Sequence, residues 1–491
     1  MSSNSVSHRL RALTKESAIY GLAHVLTRSI TFLLLPYYSH RMSAADYGEL
    51  SLYYLFLAVM YTFYAYGMDI AYLRFYNLSD HGRSKPVVTG TTIVLALGTS
   101  LGLSAVLALV SAPIGDLLIT TPQDPATVAP NVLICIGVLF FDTIGAYPFL
   151  RLRSENRPLV FAGQKLINVA VTLGLNIYFI EVMGLGLQGV LIANLIASIL
   201  TALLLIPGIW RDIEWKVDGP LLREMLRFGL PNIPTYLFVM IVELAGRKAI
   251  EVYRGSEEAG LYSAGYKLGM FMGVINAAFR FAWQPFSLKH ASDEQAPVLF
   301  SKVLTYYVLA SMCFTVWLSL LAQPLLTADL PIVGQIIAPA FWAGFTVFPL
   351  ILFAHIFDGI YANLMVGIFL KKATRRLPMV TGAAAAVTIV GNLLLVPRYG
   401  MLASAWVTLA AFIVQAMLIF NVANRLYPIP YEWPRILLLF GVGSLFILTA
   451  SYIDLSVPAR LGLAVAFPLV LVALRFFTPQ ELRTVRRMFG A

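Results

Sequence analysis

The sequence predicts an all-α polytopic membrane protein with about fourteen transmembrane helices, arranged as two parallel-repeat six-helix bundles followed by two C-terminal helices. Of its 491 residues, 59% are hydrophobic and only 12% are charged, about half the charged fraction of a typical soluble domain. Apolar segments long enough to cross a bilayer follow one another along the chain. Short motifs in the first half also recur, in the same order, in the second half.

Each predicted span is a mainly apolar stretch bounded by polar loops, with edges defined to about two to four residues. The spans are approximately 17–40, 46–70, 86–111, 128–150, 158–180, 184–209, 228–250, 258–284, 298–323, 342–369, 377–396, 400–424, 433–452 and 458–476. The loops that follow odd-numbered spans are short, which leaves little room for a catalytic domain outside the membrane.

The net charge of +10 comes from 35 Lys and Arg against 25 Asp and Glu. About 25 of these cations fall in the two termini and the loops after even-numbered spans, and about six fall on the opposite side. The positive-inside rule therefore places both termini in the cytoplasm. Topology and attraction to anionic lipid headgroups account for the basic excess, so no nucleic-acid partner is implied.

Three pairs of motifs indicate an internal duplication. They are DYGELS at 46–51 with EAGLYS at 258–263, FLR at 149–151 with FLK at 369–371, and Asn176 and Gly184 with Asn392 and Gly400, at offsets of 212, 220 and 216. With six spans in each repeat, both halves run the same way through the membrane, and the pseudo-twofold axis follows the membrane normal. Two such bundles can rock about a central site, as alternating access requires.

We therefore expect five segments along the chain. They are an N-terminal six-helix bundle at 1–209, a cytoplasmic linker at 210–227, a C-terminal six-helix bundle at 228–424, transmembrane helices 13 and 14 at 425–477, and a cytoplasmic amphipathic tail at 478–491. In the linker, Gly219-Pro220 opens an amphipathic turn through Leu221, Leu222 and Met225. The tail opens with TPQE at 478–481, which predicts a capping box.

Several motifs resemble those of Wzx-type polysaccharide flippases of the MOP superfamily. They are LPYY at 35–38, DYG at 46–48, GMDIAYLRFY at 67–76, AGLYSAGYKL at 259–268, WQPF at 283–286 and VPRYG at 396–400. The resemblance extends over spans 1 to 12. It implies a MATE-like fold of two bundles around a central cavity, in a bacterial inner (plasma) membrane.

The resemblance also implies a function. Such flippases move undecaprenyl-pyrophosphate-linked oligosaccharide from the inner to the outer leaflet by alternating access, for the biosynthesis of lipopolysaccharide O-antigen, capsule or exopolysaccharide. The expected partners are that glycan, the lipid bilayer, a coupling ion (H⁺ or Na⁺) and the polysaccharide assembly machinery. No cofactor and no metal site are expected, because no phosphate-binding glycine loop, nucleophile–base pair or metal-ligand cluster occurs in the sequence.

Arg28 is the leading candidate for binding the pyrophosphate. It lies roughly 16 Å from Ser17 along the first span, near the middle of the bilayer. A guanidinium at that depth costs at least about 2.5–3.5 kcal/mol without a partner, and its planar fork suits phosphate oxygens. His24 lies one turn away on the same face. Arg28 contacts either the substrate or an acidic residue such as Asp142.

Three further cations lie within spans. Lys267 is near mid-membrane in span 8 and either contacts substrate or forms a structural ion pair. Lys165 shares a face of span 5 with Asn168, Thr172 and Asn176, which predicts a cavity wall, although its side chain could extend to the cytoplasmic surface. Arg280 is close to the cytoplasmic end of span 8, so it either binds a ligand or extends its side chain to the cytoplasmic surface.

Carboxylates within spans are candidates for coupling to an ion or for gating. Asp142 is in the middle of span 4, and Asp358 follows His355 by three residues, so these two side chains can touch. Asp69 is near the inner end of span 2, which favours a gating contact. Glu243 precedes Arg247 by four residues, which favours an ion pair over coupling.

Three alternative functions share parts of this description. A MATE-type multidrug exporter has the same architecture, but its cavity should favour acids over cations. A lipid II flippase would share the cationic cavity. A multispan O-antigen polymerase or ligase would need catalytic groups on a large external loop, so we expect a transporter and not an enzyme.

Overall fold

A computed structural model describes residues 34–77, 84–210, 213–291, 293–330, 334–371, 373–453, 455–478 and 481. His24 and Arg28 lie outside the described residues, so their predicted roles stay predictions. Almost all of the described chain is helical, in agreement with the predicted class. Besides helices and loops, the described residues form one antiparallel ribbon, in which β1 (Asp329–Leu330) pairs with β2 (Gly334–Gln335).

The described chain begins with a helical segment at 34–41, and nine α-helices follow it up to Arg254. They are α1 Ala44–Ala65, α2 Met68–Asn77, α3 Lys85–Leu109, α4 Ser111–Leu118, α5 Pro125–Ser154, α6 Pro158–Ile177, α7 Gly186–Trp210, α8 Gly219–Gly229 and α9 Ile233–Arg254. The rest are α10 Ser256–Gly269, α11 Phe271–His290, α12 Ala296–Thr327, α13 Phe348–Leu364, α14 Val366–Leu370, α15 Leu377–Leu426, α16 Trp433–Tyr452 and α17 Val457–Ala473.

Helix starts follow ordinary capping chemistry. Ser43 Oγ accepts a hydrogen bond from Asp46 N at the start of α1, and Asp124 Oδ1 accepts one from Ala126 N at the start of α5. At α8, Asp218 Oδ1 accepts a bond from Leu221 N. Both Asp124 and Asp218 precede a proline in the first turn, which needs no hydrogen-bond acceptor there.

Within the described residues, nine helices are long and apolar enough to cross a membrane, or ten if the bent pair α1 and α2 counts as one span. One of the nine runs from Thr374 to Leu426, 53 residues. At 1.5 Å per residue this is roughly 80 Å, far more than a bilayer. Gly400 has φ 61° and ψ −145° inside it, which marks the break between predicted spans 11 and 12.

The chain divides into two compact units. Unit 1 comprises Met1–Ser263 and Thr388–Met401, and unit 2 comprises Ala264–Val387 and Leu402–Ala491. In unit 1, α5 packs along α7, and α6 packs against α7. In unit 2, α12 packs against α13, α16 and α17.

Within unit 1, the segment between α7 and α9 packs against α2 and α3. Leu221 and Met225 of α8 are fully buried in a cluster with Met68, Ala71 and Tyr72 of α2. Thr91 of α3 accepts a hydrogen bond from Asp218 N (3.1 Å) and donates one to Lys216 O (3.3 Å). The amphipathic turn expected from the sequence is therefore the contact face of a short helix.

Helices α1 and α10 cross at residues that the sequence repeat pairs. A Cβ atom added to Gly48 would overlap Ser256 O and lie 2.9 Å from Gly260 N, and one added to Gly260 would lie 2.9 Å from Gly48 N. One turn further, Ser263 Oγ donates a hydrogen bond to Ser51 Oγ at 2.9 Å. Only glycine allows the two backbones to approach this closely.

Candidate functional site

Unit 1 contains a cavity of two adjoining chambers, about 590 and 530 Å³ in volume. Helices α1, α2, α5, α6 and α7 contribute to its wall, and Tyr236 and Met240 of α9 close the smaller chamber. Five residues line both chambers and define their junction: Tyr54, Leu57, Tyr61, Asp69 and Asp142. Each chamber falls within the roughly 300–1,000 Å³ that small-molecule sites occupy.

Lys165 and Asp142 are the charged pair of the larger chamber. Lys165 Nζ lies 4.2 Å from the centroid of the Phe149 ring, a cation–π contact that holds the ammonium inside the cavity. It interacts electrostatically with Asp142, to which Ser198 is hydrogen-bonded. The sequence suggests Asp142 as a partner of Arg28, and that pairing stays a prediction. In the described part of the chain, its cationic neighbour in this chamber is Lys165.

Arg153 also lines the larger chamber, and it is exposed on the last turn of α5. Beside it, Glu155 accepts hydrogen bonds from Arg151 Nε (2.6 Å) and Tyr76 Oη (2.9 Å). Burial raises the pKa of Glu155, but the bonds from Arg151 and Tyr76 outweigh it and lower that pKa below its ordinary value. Arg151 and Glu155 thus bind each other, while Arg153 faces the cavity.

Amide and hydroxyl groups form one polar wall of the larger chamber. Asn168 Nδ2 donates to Thr201 Oγ1 at 2.8 Å and to Ala197 O at 3.3 Å. Asn194 Nδ2 donates to Tyr54 Oη at 2.9 Å. These bonds join α6 to α7 and α7 to α1, so the wall is held together by its own polar groups.

Asp69 is in the first turn of α2, immediately after the bend at Tyr66 and Gly67, which both have positive φ. Its side chain is half-buried and lines both chambers. Tyr61 and Tyr236 lie close enough to interact electrostatically with its carboxylate. The structure therefore brings together three residues selected from the sequence, Lys165, Asp142 and Asp69.

In unit 2, Arg280 forms an ion pair with Asp358, Nη2 to Oδ1. Asn276 Nδ2 donates to Asp358 Oδ2 at 3.0 Å and to His355 O at 2.8 Å. Tyr307 Oη donates to Asn276 Oδ1 at 2.6 Å. The sequence suggested that Arg280 extends to the membrane surface or binds a ligand. Its guanidinium is one member of a network that links α11, α12 and α13, and its role toward a ligand stays a prediction.

His355 and Asp358 both lie on α13, and the contact between their side chains that the sequence spacing suggests stays a prediction. The imidazole of His355 is buried against the rings of Phe412 (5.4 Å between centroids) and Tyr266 (6.1 Å). Lys267 is half-buried on α10, and Glu243 is half-buried on α9. Neither Lys267 nor Glu243 is among the described residues that line the unit 1 cavity.

Arg280 also borders a smaller cavity of about 220 Å³ in unit 2. Its other lining residues are Trp283, Gln284, Ser287, Ala362, Met365, Val366 and Phe369. Trp283 is packed in parallel with Phe279 (5.9 Å, 10°) and edge-on to Phe300 (5.2 Å), and its Nε1 donates to Asn363 O. This indole belongs to the packing of unit 2 rather than to an open binding face.

Sequence reasoning missed Arg153 and the α7 side of the cavity. In the sequence, Arg153 is one of the cations between predicted spans 4 and 5 that indicate the topology. Asn194, Ser198 and Thr201 recur at i, i+4 and i+7 along span 6, a polar stripe that matches the one from Lys165 and is visible in the sequence. Tyr54 gave no signal, because tyrosines are frequent throughout the chain.

The cavity belongs to a fold that occurs in solved transporters. The chain is similar to "Lipid II flippase MurJ, inward closed conformation" at 13% identity, with TM-score 0.74, over 93% of this chain and 98% of that one. It is similar to a multidrug resistance MATE family transporter of the MOP superfamily at 14% identity, with TM-score 0.64, over 86% and 99%. A MOP superfamily transporter from Pyrococcus furiosus matches at 15% identity, with TM-score 0.59, over 87% and 96%. At such identities these likenesses show the fold.

Sequence comparisons identify the family. An uncharacterized membrane protein of Haemophilus influenzae is 34% identical over 88 residues. This match covers 18% of the chain and 22% of the length of that protein. A model of the family described as "Polysaccharide biosynthesis protein" matches residues 13–290, more than half of the chain. The resemblance to polysaccharide flippases read from the motifs is thereby confirmed. The chain belongs to the polysaccharide biosynthesis protein family and has the fold of the MOP superfamily of membrane transporters.

Proposed function

We propose that the protein is a flippase that moves an undecaprenyl-pyrophosphate-linked oligosaccharide from the inner to the outer leaflet of a bacterial inner membrane. The observation that carries this proposal is the unit 1 cavity, in which Lys165 and Arg153 share a chamber with amide, hydroxyl and aromatic groups. A pyrophosphate leaving water needs fixed cations in place of its hydration shell. The attached sugars need hydrogen-bonding groups and ring faces. One chamber offers both.

The orientation follows from the charge distribution. We propose cytoplasmic N- and C-termini, which puts Arg153 and Ser154 on the cytoplasmic side, where the glycan is loaded, and Gln123 on the other. Arg153 would then meet the pyrophosphate at the entrance, and Lys165 would hold it further in. His24 and Arg28, on the first span, are proposed to add to the same anion site. Cysteine-accessibility labelling at positions 154 and 123 tests the topology, and reversed labelling would contradict it.

The decisive experiment is a leaflet-resolved assay of the purified protein in liposomes. Lys165→Gln and Arg153→Gln should each slow the translocation of the lipid-linked oligosaccharide by roughly tenfold or more, because each removes a charged hydrogen-bond donor. Arg223→Gln is the matched control, since Arg223 is exposed on α8 and does not line the cavity. Unchanged rates for both cavity variants would refute the proposal.

A cation-coupled multidrug exporter is the second candidate, because Asp69 and Asp142 line both chambers of the cavity. Carboxylates at that position suit a cationic drug, H⁺ or Na⁺. The same liposomes should therefore be loaded in parallel with a fluorescent cationic dye and with lipid II, under imposed pH and Na⁺ gradients. Transport of the dye without the glycan would favour the exporter, and transport of lipid II alone would favour a lipid II flippase.

A further inference from the structure

We propose, on the basis of the proposed function, that unit 1 by itself holds a saccharide subsite that recognises the first sugar of the glycan. The subsite is the polar wall formed by Asn168 of α6, Asn194 and Thr201 of α7, and Tyr54 of α1. Its ligand class is a pyranose whose hydroxyl or acetamido groups bind amides. The geometry thus assigns sugar recognition to the wall beside the phosphate-binding cation.

The wall keeps hydrogen-bonding capacity for a ligand. Asn194 uses one Nδ2 proton on Tyr54 Oη, which leaves its second Nδ2 proton and its Oδ1 acceptor, within the described part of the chain. Tyr54 Oη accepts that bond, so its own proton can be donated to a sugar oxygen. Paired donors and acceptors of this kind match vicinal hydroxyl groups, and the internal bonds keep them oriented before the ligand arrives.

Aromatic rings face the same space. Phe141, Phe149 and Phe161 line the larger chamber, and Tyr61 lines its junction with the smaller one. The apolar C–H face of a pyranose packs on such rings, while its hydroxyl groups bond at the rim. An aromatic surface next to an amide wall distinguishes a sugar site from a simple anion site, which needs only cations.

The position of the wall selects the sugar that it meets. Asn168 follows Lys165 by three residues on α6, about 4.5 Å along the helix axis. The first sugar is bonded directly to the pyrophosphate, so a phosphate held at Lys165 places that ring beside Asn168 and its partner Thr201. Sugars further from the carrier have no such fixed distance, and the subsite therefore reads the first ring rather than the rest of the glycan.

Two lipid carriers separate sugar recognition from phosphate recognition. One is undecaprenyl pyrophosphate without a sugar. The other is the same carrier with its oligosaccharide attached, extracted from the bacterium that makes this protein. Binding to the purified full-length protein is measured for the wild type, Asn194→Ala, Tyr54→Phe and Lys165→Gln. Asn77→Ala serves as the matched control, because Asn77 is exposed at the end of α2, outside the cavity. Tyr54→Phe removes one hydroxyl and keeps the ring, which protects the fold.

We expect Asn194→Ala and Tyr54→Phe to weaken binding of the sugar-bearing carrier by roughly tenfold and to change binding of the sugar-free carrier less than about twofold. Lys165→Gln should weaken both carriers. Equal effects of the wall variants on both carriers, or no effect on either, would overturn the subsite. Failure of the proposed function appears separately, as an absence of glycan translocation by the wild type in liposomes.

Discussion

Lys248 Nζ lies 2.5 Å from Oε2 of Glu251, whose side chain has no solvent exposure. The same carboxylate accepts hydrogen bonds from the backbone N–H groups of Thr120 (2.5 Å) and Thr121 (3.4 Å), and Lys248 also donates to Leu118 O (3.0 Å). One buried carboxylate on α9 therefore fixes the chain between α4 and α5. The neighbouring Gln123 N donates to Glu49 on α1 in the same way.

Glu251→Gln should destabilise the protein by about 3 kcal/mol, because the amide keeps the shape but leaves Lys248 and the loop N–H groups without their carboxylate. The melting temperature in detergent, followed by size-exclusion chromatography, measures the loss. Glu257→Gln is the matched control on an exposed position of α10. Equal melting temperatures for the two variants would show that the buried carboxylate is not a structural anchor.

Gly48→Ala and Gly260→Ala should both lower the melting temperature strongly, since each new Cβ would overlap a backbone carbonyl oxygen, of Ser256 or of Ala44. Overpacking of this kind costs about 1–3 kcal/mol or more. Gly98→Ala and Gly102→Ala on α3 are the controls, because a Cβ there meets no atom within 4 Å. These two should be neutral or stabilising, as alanine has the better helix propensity. A normal melting temperature for Gly48→Ala would contradict the close crossing.

Cysteines at positions 51 and 263, in a protein whose Cys135 and Cys313 are replaced by serine, should form a disulfide under mild oxidation. The two hydroxyl oxygens are already 2.9 Å apart, and a disulfide needs little further approach. If transport requires α1 and α10 to separate, glycan translocation should stop on oxidation and return on reduction. Each single-cysteine variant controls for oxidation alone, and full transport by the cross-linked protein would show that this contact never opens.

Arg280→Ala and Asp358→Ala should each destabilise unit 2, and the double variant should lose less than the sum. Each single change leaves one charge of the pair behind, next to Asn276. We expect a coupling free energy of about 1–3 kcal/mol from a double-mutant cycle on thermal unfolding. A transport assay of the same variants distinguishes an ion-pair role of Arg280 from a ligand-binding role. An ion-pair role predicts recovery in the double variant, and a ligand role predicts loss in both variants that lack the arginine.

Acid should release the segment that follows α17. Thr478 and Glu481 form the expected capping box, since Thr478 N donates to Glu481 Oε2 (2.7 Å) and Glu481 N donates to Thr478 Oγ1 (3.3 Å). Glu481 also accepts bonds from Tyr306 Oη (2.6 Å) and Arg435 Nη2 (3.0 Å). Burial raises the pKa of Glu481, but the bonds from Tyr306, Thr478 and Arg435 outweigh it and lower that pKa to about 2.

Because this pKa is depressed in the folded protein, its contribution to stability is present above the ordinary glutamate value and is lost as the pH falls toward 2. We therefore expect Glu481→Gln to melt below the wild type at pH 7, and the difference to shrink between about pH 4.5 and pH 2. Glu294→Gln, at an exposed position, should show no such trend. A difference that is as large at pH 2.5 as at pH 7 would contradict the assignment.

Helical periodicity could predict the helices and one wall of the cavity, because both depend on neighbours along the sequence. Of the four residues with that spacing, Lys165, Asn168 and Thr172 line the cavity. Asn176 is fully buried and is not among the described residues that line it. The role of the three lining residues in binding substrate stays a prediction. The partner of Arg280 could not be foreseen, since Asp358 is 78 residues away and the pairing depends on how α11 and α13 pack. Nor could the burial of Glu251, which looked like any charge at a helix end.

The hydrogen bond between Ser51 and Ser263 has an evolutionary consequence. A residue contacts its own copy only on a twofold axis, which is how identical subunits of a symmetric dimer meet. Gly48 with Gly260 and Ser51 with Ser263 are such self-pairs, both at an offset of 212. If the two halves arose by duplication, as the sequence repeat predicts, their ancestor would have been a six-helix homodimer whose two copies pointed the same way. Gene fusion would then have kept that interface as an intramolecular contact.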